Sequence, residues 1–333
     1  MDYEHILSPD TQATLLLYGR FGEENSEDYS PLTPLEYHKL MLWLDERKMS
    51  PSDLLQLETD EQLSKDLPET GLSPDRLKLL LARGGLLALN VERWTNSGIW
   101  VISRDDEAYP ERLKARLGKS APPILYGAGE VNLLSAGGLA IVGSRDVDED
   151  GRLFTREVAA ECAKLGVQVI SGGARGVDGE AMFSALDSGG RVIGVLADSL
   201  ERKSVSGTSR DAIVDGRLLL VSPSHPNAGF NAGLAMSRNK LIYALSDWAL
   251  VVNSEFNQGG TWTGARENLK NNWVPLYVRG GDDIPEGNRR LIDLGAQELR
   301  IDESNLIRTW LERITDETSS DGQNHEAGQL SIL

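Results

Sequence analysis

One cysteine and four histidines are all the thiol and imidazole groups this 333-residue chain holds. The lone Cys162 excludes an internal disulfide and a thiolate metal cage. Its setting, EVAAECAKLGV, has the period of a helix, where a small buried residue is expected. His5, His38, His225 and His325 are too scattered to give a zinc-ligand spacing, so no metal site is expected. No apolar run approaches the roughly 18 residues of a membrane span. MDYEHILSPD has no basic leader and no long apolar stretch, so the expected location is cytoplasmic. Basic residues are also in short supply, 34 Lys plus Arg against 51 Asp plus Glu, for a net charge of −17. Spread evenly, that charge repels nucleic acid and anionic membranes. What is plentiful is glycine, 34 residues, in a chain that is 40% hydrophobic and 26% charged. This is the composition of a globular protein, which excludes a wholly disordered chain, and the length suggests about two domains.

The charge is not spread evenly. Residues 1–72 hold 5 basic and 16 acidic residues, and residues 301–333 hold 2 and 7. The stretch between them has 27 basic and 28 acidic residues and is nearly neutral. The acidity therefore belongs to the ends.

Residues 1–95 read as a helical N-terminal module, with TQATLLLYGRFG, TPLEYHKLMLWLDERK and LSPDRLKLLLARGGLLALNVERW as helical stretches. Thr33 and Ser50 each precede a proline with acidic residues in the next turn, the pattern of an N-cap and first helical position. From IWVIS onward, residues 96–300 alternate apolar runs with amphipathic stretches. LAIVGS, VQVISGGA, RVIGVLA, RLLLVS, WALVVNS and WVPLYV read as strands, with helices between them. That alternation predicts an α/β fold, a Rossmann-like doubly wound parallel sheet. Residues 301–333 read as a short helix and a flexible acidic C-terminal tail, because TDETSSDGQNHEAG is polar and aperiodic.

In such a sheet ligands bind beyond the carboxyl ends of the strands. Those ends carry Gly143-Ser144-Arg145, the run Ser171 to Asp178 (SGGARGVD), and Asn257 to Thr263 (NQGGTWT). Glycine lets backbone N–H groups approach an anion, and a helix N-terminus favours phosphate. Tight strand-to-helix turns require glycine for their own sake as well; Arg145 and Arg175 in two separate loops tilt the balance toward an anionic ligand. No GxGxxG, Walker A or GxSxG sequence is present, and neither Ser144 nor Ser171 has a histidine nearby in sequence to act as a base. No catalytic residue and no cofactor is assigned.

These motifs resemble those of the DNA-processing protein A family (DprA, also called Smf), over roughly residues 75–300. AIVGSR matches the family's strand followed by G-[ST]-R, SGGARGVD its most specific signature, Arg238 to Ile242 its R-N-[RK]-[IL]-I motif, and GGTWTGA its threonine-bearing loop. The resemblance implies a homodimer that is not an enzyme, which binds single-stranded DNA and hands it to a RecA-type recombinase during DNA uptake. By position it implies that Arg175, Arg238 and Lys240 line a basic pocket that Ser144, Arg145, Gly172 and Asn239 complete, with Thr261, Trp262 and Thr263 beside it. Guanidinium groups and backbone donors fix phosphates without reading sequence.

Trp262 departs from the aliphatic residue usual in the family. It either stacks on a base or packs beneath the loop as core. The proline of the family's F-P-x-R-N is replaced within Ala235-Met236-Ser237, and no counterpart of the C-terminal winged helix of many members is expected. A divergent member of this kind also fits an antitoxin or regulator in a phage-defence pair, with a toxin as partner. The same sheet resembles nucleotide phosphoribohydrolases with a P-G-G-x-G-T-x-x-E loop. Laid on this chain, that loop puts Arg266 where the catalytic Glu belongs and Glu267 one position late, about 100° away on a helix. Finally, Gln329-Leu330-Ser331-Ile332-Leu333 resembles the peptide by which bacterial DNA-maintenance proteins dock on the sliding clamp, a flexible tether ending in aliphatic residues suited to an apolar groove.

Overall fold

The computed structural model describes residues 7–21, 30–56, 65–301 and 306–317. It forms two compact units that interleave along the chain. Met1–Ser135 and Val195–Arg238 make the first, and Ala136–Gly194 and Asn239–Leu333 the second. Division of the sequence at 95 and 300 follows the order of elements; the spatial grouping instead lets one chain leave a unit and return to it.

In the first unit, helices α1 (Pro9–Tyr18), α2 (Pro34–Glu46), α3 (Pro74–Leu81) and α4 (Gly84–Asn96) follow their capping chemistry. Thr33 and Glu36 close a reciprocal capping box: Glu36 N–H donates to the Thr33 hydroxyl at 3.3 Å, and Thr33 N–H to the Glu36 carboxylate at 2.8 Å. Ser50 opens not an α-helix but a 3₁₀ segment, Pro51–Gln56, where Asp53 accepts the Ser50 N–H at 2.8 Å. Leu40, Leu44, Leu54, Leu77 and Leu80 meet Trp43 in a closed core. Beside it lies Arg83, buried, whose Nη2 donates to the carbonyls of Leu16 and Gly19 and whose Nε donates to Leu80. Strands β1 (Trp100–Ser103), β2 (Ile124–Ala128) and β6 (Leu218–Ser222) pair antiparallel in the order β1-β2-β6. Gly127 has no side chain because the Trp100 indole occupies that place, 2.2 Å from where a Cβ would stand. Helices α5 (Glu111–Leu117), α8 (Leu200–Ser204) and α9 (Gly207–Val214) complete this unit.

The second unit is the wound sheet. Strands β3 (Leu139–Gly143), β4 (Val169–Ser171), β5 (Val192–Val195), β7 (Trp248–Asn253), β8 (Leu276–Arg279) and β9 (Gln297–Leu299) run parallel in the order β5-β4-β3-β7-β8-β9. From β3 the chain winds outward through β4 and β5, and β7 then lies on the other side of β3. The order reverses between β3 and β7, which makes their carboxyl ends the switch point where such sheets take ligands. Strands β3, β4, β5 and β7 are apolar because both sheet faces are covered. The helices of this unit are α6 (Glu149–Lys164), α7 (Val177–Asp187), α11 (Gly259–Asn271) and α12 (Glu286–Asp293). Helix α10 (Ala232–Leu245) is divided between the units after Arg238. Cys162 lies on α6 with no exposure, and burial raises its thiol pKa. Among the described residues no helix is long and apolar enough to cross a membrane.

Candidate functional site

At the switch point the backbone is interlocked before any side chain acts. Ser144 N–H donates to the Asn253 carbonyl at 2.9 Å, joining the exits of β3 and β7, and Val177 N–H donates to the Ser144 carbonyl at 3.2 Å, joining β3 to the start of α7. Two glycines make this approach possible. Gly176 has φ +83°, and a Cβ there would stand 2.3 Å from the Ser144 carbonyl oxygen. A Cβ on Gly143 would meet Val177 Cγ2 at 2.5 Å. The glycines of GSR and SGGARGVD therefore serve the fit of one loop against another as well as openness to a ligand.

On this scaffold the predicted residues separate by exposure. Arg145 and Arg175 are exposed. Arg175 pairs with Asp146 at 3.5 Å, and both groups are in solvent, so the pair is screened and readily exchanged for another anion. Ser144 is half-buried and its hydroxyl accepts the Asp146 N–H at 3.2 Å, shaping the turn that carries Arg145. Gly172 is buried, and the hydroxyl of its neighbour Ser171 donates to the Ile141 carbonyl at 2.6 Å, a structural use. Asn239 bridges helices: its Nδ2 donates to the Gly260 carbonyl at 3.1 Å, and a Cβ on Gly260 would lie 2.7 Å from that nitrogen. Lys240 is half-buried; burial holds its pKa below the ordinary lysine range, which the Glu267 carboxylate partly offsets.

Thr261 and Trp262 stand differently from the sequence expectation, and Arg238, one of the residues given to the pocket, is 6% exposed. Its position on α10 turns it inward, and its charge lowers the pKa of Lys203, which burial lowers first. Thr261 and Trp262 belong to no loop. GGTWT forms the first turns of α11, with the Thr263 hydroxyl donating to the Gly259 carbonyl at 3.0 Å. Of the two readings of Trp262, the packed one holds, since the residue is 4% exposed. Its ring meets Phe256 at 5.2 Å in an edge-to-face contact. An indole at the fourth position of a helix lying on a sheet is drawn into that interface by its apolar area.

Sequence reading passed over Asp148 and Arg279. Asp148 caps α6, accepting the Gly151 N–H at 2.7 Å, and Arg279, buried at the end of β8, lies 3.8 Å from the same carboxylate oxygen. Together they hold the far end of the loop that carries Arg145. The signal was present in the pattern Asp148-x-x-Gly151 ahead of a helical period. No group of three or more His, Cys, Asp or Glu side chains converges among the described residues.

Residues 100–309 match the family model described as DNA recombination-mediator protein A. Protein Smf of Escherichia coli is 32% identical over 200 residues, which cover 59% of this chain and 53% of that one. The chain thus spans about half the length of that relative. A structure of DNA processing protein A from Helicobacter pylori, titled for its single-stranded DNA binding mode, aligns at 26% identity and TM-score 0.52 over 65% of this chain and 96% of that one. DNA processing protein A from Streptococcus pneumoniae aligns at TM-score 0.65 over 88% of this chain and 95% of that one; at 19% identity the likeness is one of fold.

Proposed function

Because the chain belongs to the DNA recombination-mediator protein A family, we propose that it binds single-stranded DNA at the carboxyl ends of the parallel strands of its second unit and passes it to a RecA-type recombinase. The observation that carries this reading is the pair Arg145 and Arg175, both exposed on two loops locked together at the switch point. Two guanidinium groups on a rigid glycine backbone fix phosphates with little ordering cost, and they do so without regard to base. Lys240, whose charge is disfavoured by burial, gains most from an anion brought beside it. Ser144, Gly172 and Asn239 shape the loops, while Thr261 and Thr263 lie in the first turns of α11, where the helix end favours a phosphate.

The test is retention of a labelled oligo-dT by the wild type and by the double variant Arg145→Ala, Arg175→Ala. Loss of retention in the variant, with the unfolding temperature unchanged, is expected; equal retention overturns the reading. Handover to a recombinase is checked by whether the protein speeds recombinase filament formation on single strands coated by a single-strand-binding protein. The family resemblance also supports a homodimer, which sedimentation of the pure protein reports. Gln329 to Leu333 lie outside the described residues. Docking of this peptide on a sliding clamp predicts that its deletion removes clamp pull-down and leaves oligo-dT retention intact.

A further inference from the structure

Burial of Trp262 removes the stacking reading of that residue, but another ring in the same region is exposed. Phe256 is 45% exposed. It lies in the loop that leaves β7, and the loop carrying Ser144 and Arg145 leaves β3, the adjacent strand, about 4.8 Å away. The Phe256 ring meets the buried Trp262 ring at 5.2 Å with an interplanar angle of 81°. Two guanidinium groups bracket this pair, Arg290 at 5.4 Å from the Phe256 centroid and Arg266 at 5.9 Å from the Trp262 centroid; Arg290 also pairs with Glu286 at 3.4 Å and Asp293 at 3.7 Å, exposed pairs that a phosphate can replace.

The backbone under the ring is fixed. Ser254 N–H donates to the Asn288 side chain at 2.8 Å, and a Cβ on Gly287 would stand 2.2 Å from the Ser254 carbonyl oxygen, so α12 presses directly on this loop. On the other side Asn257 takes the left-handed conformation, φ +56°, before the helix begins. An apolar ring held half-exposed by two packed helices, beside cations and next to a phosphate-binding loop, combines the elements of a single-strand platform. The π-face takes a base of any identity, and the flanking charges take the backbone.

We infer that Phe256 is the base-stacking platform of this ridge, seated on Trp262 and flanked by Arg290, and that it takes one nucleobase of single-stranded DNA without sequence preference. This rests on the reading that the ridge binds single-stranded DNA, and the test separates the two. Binding is measured by fluorescence anisotropy with a labelled oligo-dT and with a strand of the same length whose sugars carry no bases. The wild type is expected to bind oligo-dT roughly tenfold more tightly than the abasic strand. Phe256→Ala and Phe256→Leu remove that roughly tenfold preference by weakening oligo-dT alone, and Phe256→Tyr restores it. Unchanged tryptophan emission and unfolding temperature in Phe256→Leu show that the ridge is still folded. Oligo-dT binding by Phe256→Leu equal to wild type, or an equal loss on both strands, overturns the platform and leaves the DNA reading standing. A wild type that binds neither strand overturns both.

Discussion

The helical part of the first unit and the ridge of the second both carry arginines, and they use them in opposite ways. In the helical part, guanidinium groups donate to carbonyls at loop and helix ends. Arg83 donates to Leu16, Gly19 and Leu80, and Arg76 reaches the carbonyls of Ser30 and Pro31 at 3.0 and 3.3 Å as well as Glu36. At the ridge, glycines bring backbone against backbone, so that main-chain N–H and carbonyl groups satisfy one another. Arg145 and Arg175 are left at the surface. The two regions therefore differ in exposure: Arg83 is buried against main-chain carbonyls, whereas Arg145 and Arg175 face solvent.

That contrast can be broken at either end. The largest effect is expected from Gly176→Ala, which places a methyl 2.3 Å from the Ser144 oxygen at φ +83° and costs about 3 kcal/mol by forcing the two loops apart. Oligo-dT retention falls with stability, as thermal unfolding and anisotropy measured together report. Arg83→Met keeps the apolar stem and removes the donors. It lowers unfolding free energy by about 2 to 3 kcal/mol in urea titration, while the folded fraction binds oligo-dT as before. The double variant Arg145→Ala, Arg175→Ala behaves in the converse way. Its stability stays within about 0.5 kcal/mol, and its dependence of log affinity on log salt is shallower by about 1.4, two phosphate contacts at about 0.7 each.

The smallest effect concerns the capping box. Burial pushes the Glu36 carboxyl up, but the Arg76 guanidinium at 2.6 Å and the Thr33 N–H and hydroxyl reverse this and hold it down at about 2. A depressed carboxyl stabilises the fold above its unfolded pKa and loses that contribution as pH falls toward 2. Acid titration of stability from pH 5 to pH 2 is therefore expected to show a loss of about 1 kcal/mol or less, absent in Glu36→Gln.

Much of the fold was legible along the chain. LAIVGS, VQVIS and WALVVN became β3, β4 and β7 because short apolar runs bounded by glycine or polar residues have little alternative in a covered sheet. Thr33 capped its helix because the interaction spans only three residues. Less was legible at the site. GGTWT reads as a loop because its glycines break local helix preference, yet it forms helix once α10 packs on Gly260 and Gly264. Arg238 carries the same charge as Arg145, and nothing near it in sequence announces that it is buried.

The alternation of strand and helix, the capped helices and the glycine positions follow from neighbours within a turn or two, so they are readable along the chain. Tertiary structure alone decided which of two aromatics is covered and which arginines face solvent. Exposure is a property of what lies opposite a residue, and for Trp262, Phe256 and Arg83 the groups that lie opposite include ones contributed from elsewhere in the chain, up to 67 residues away for Arg83 and Leu16.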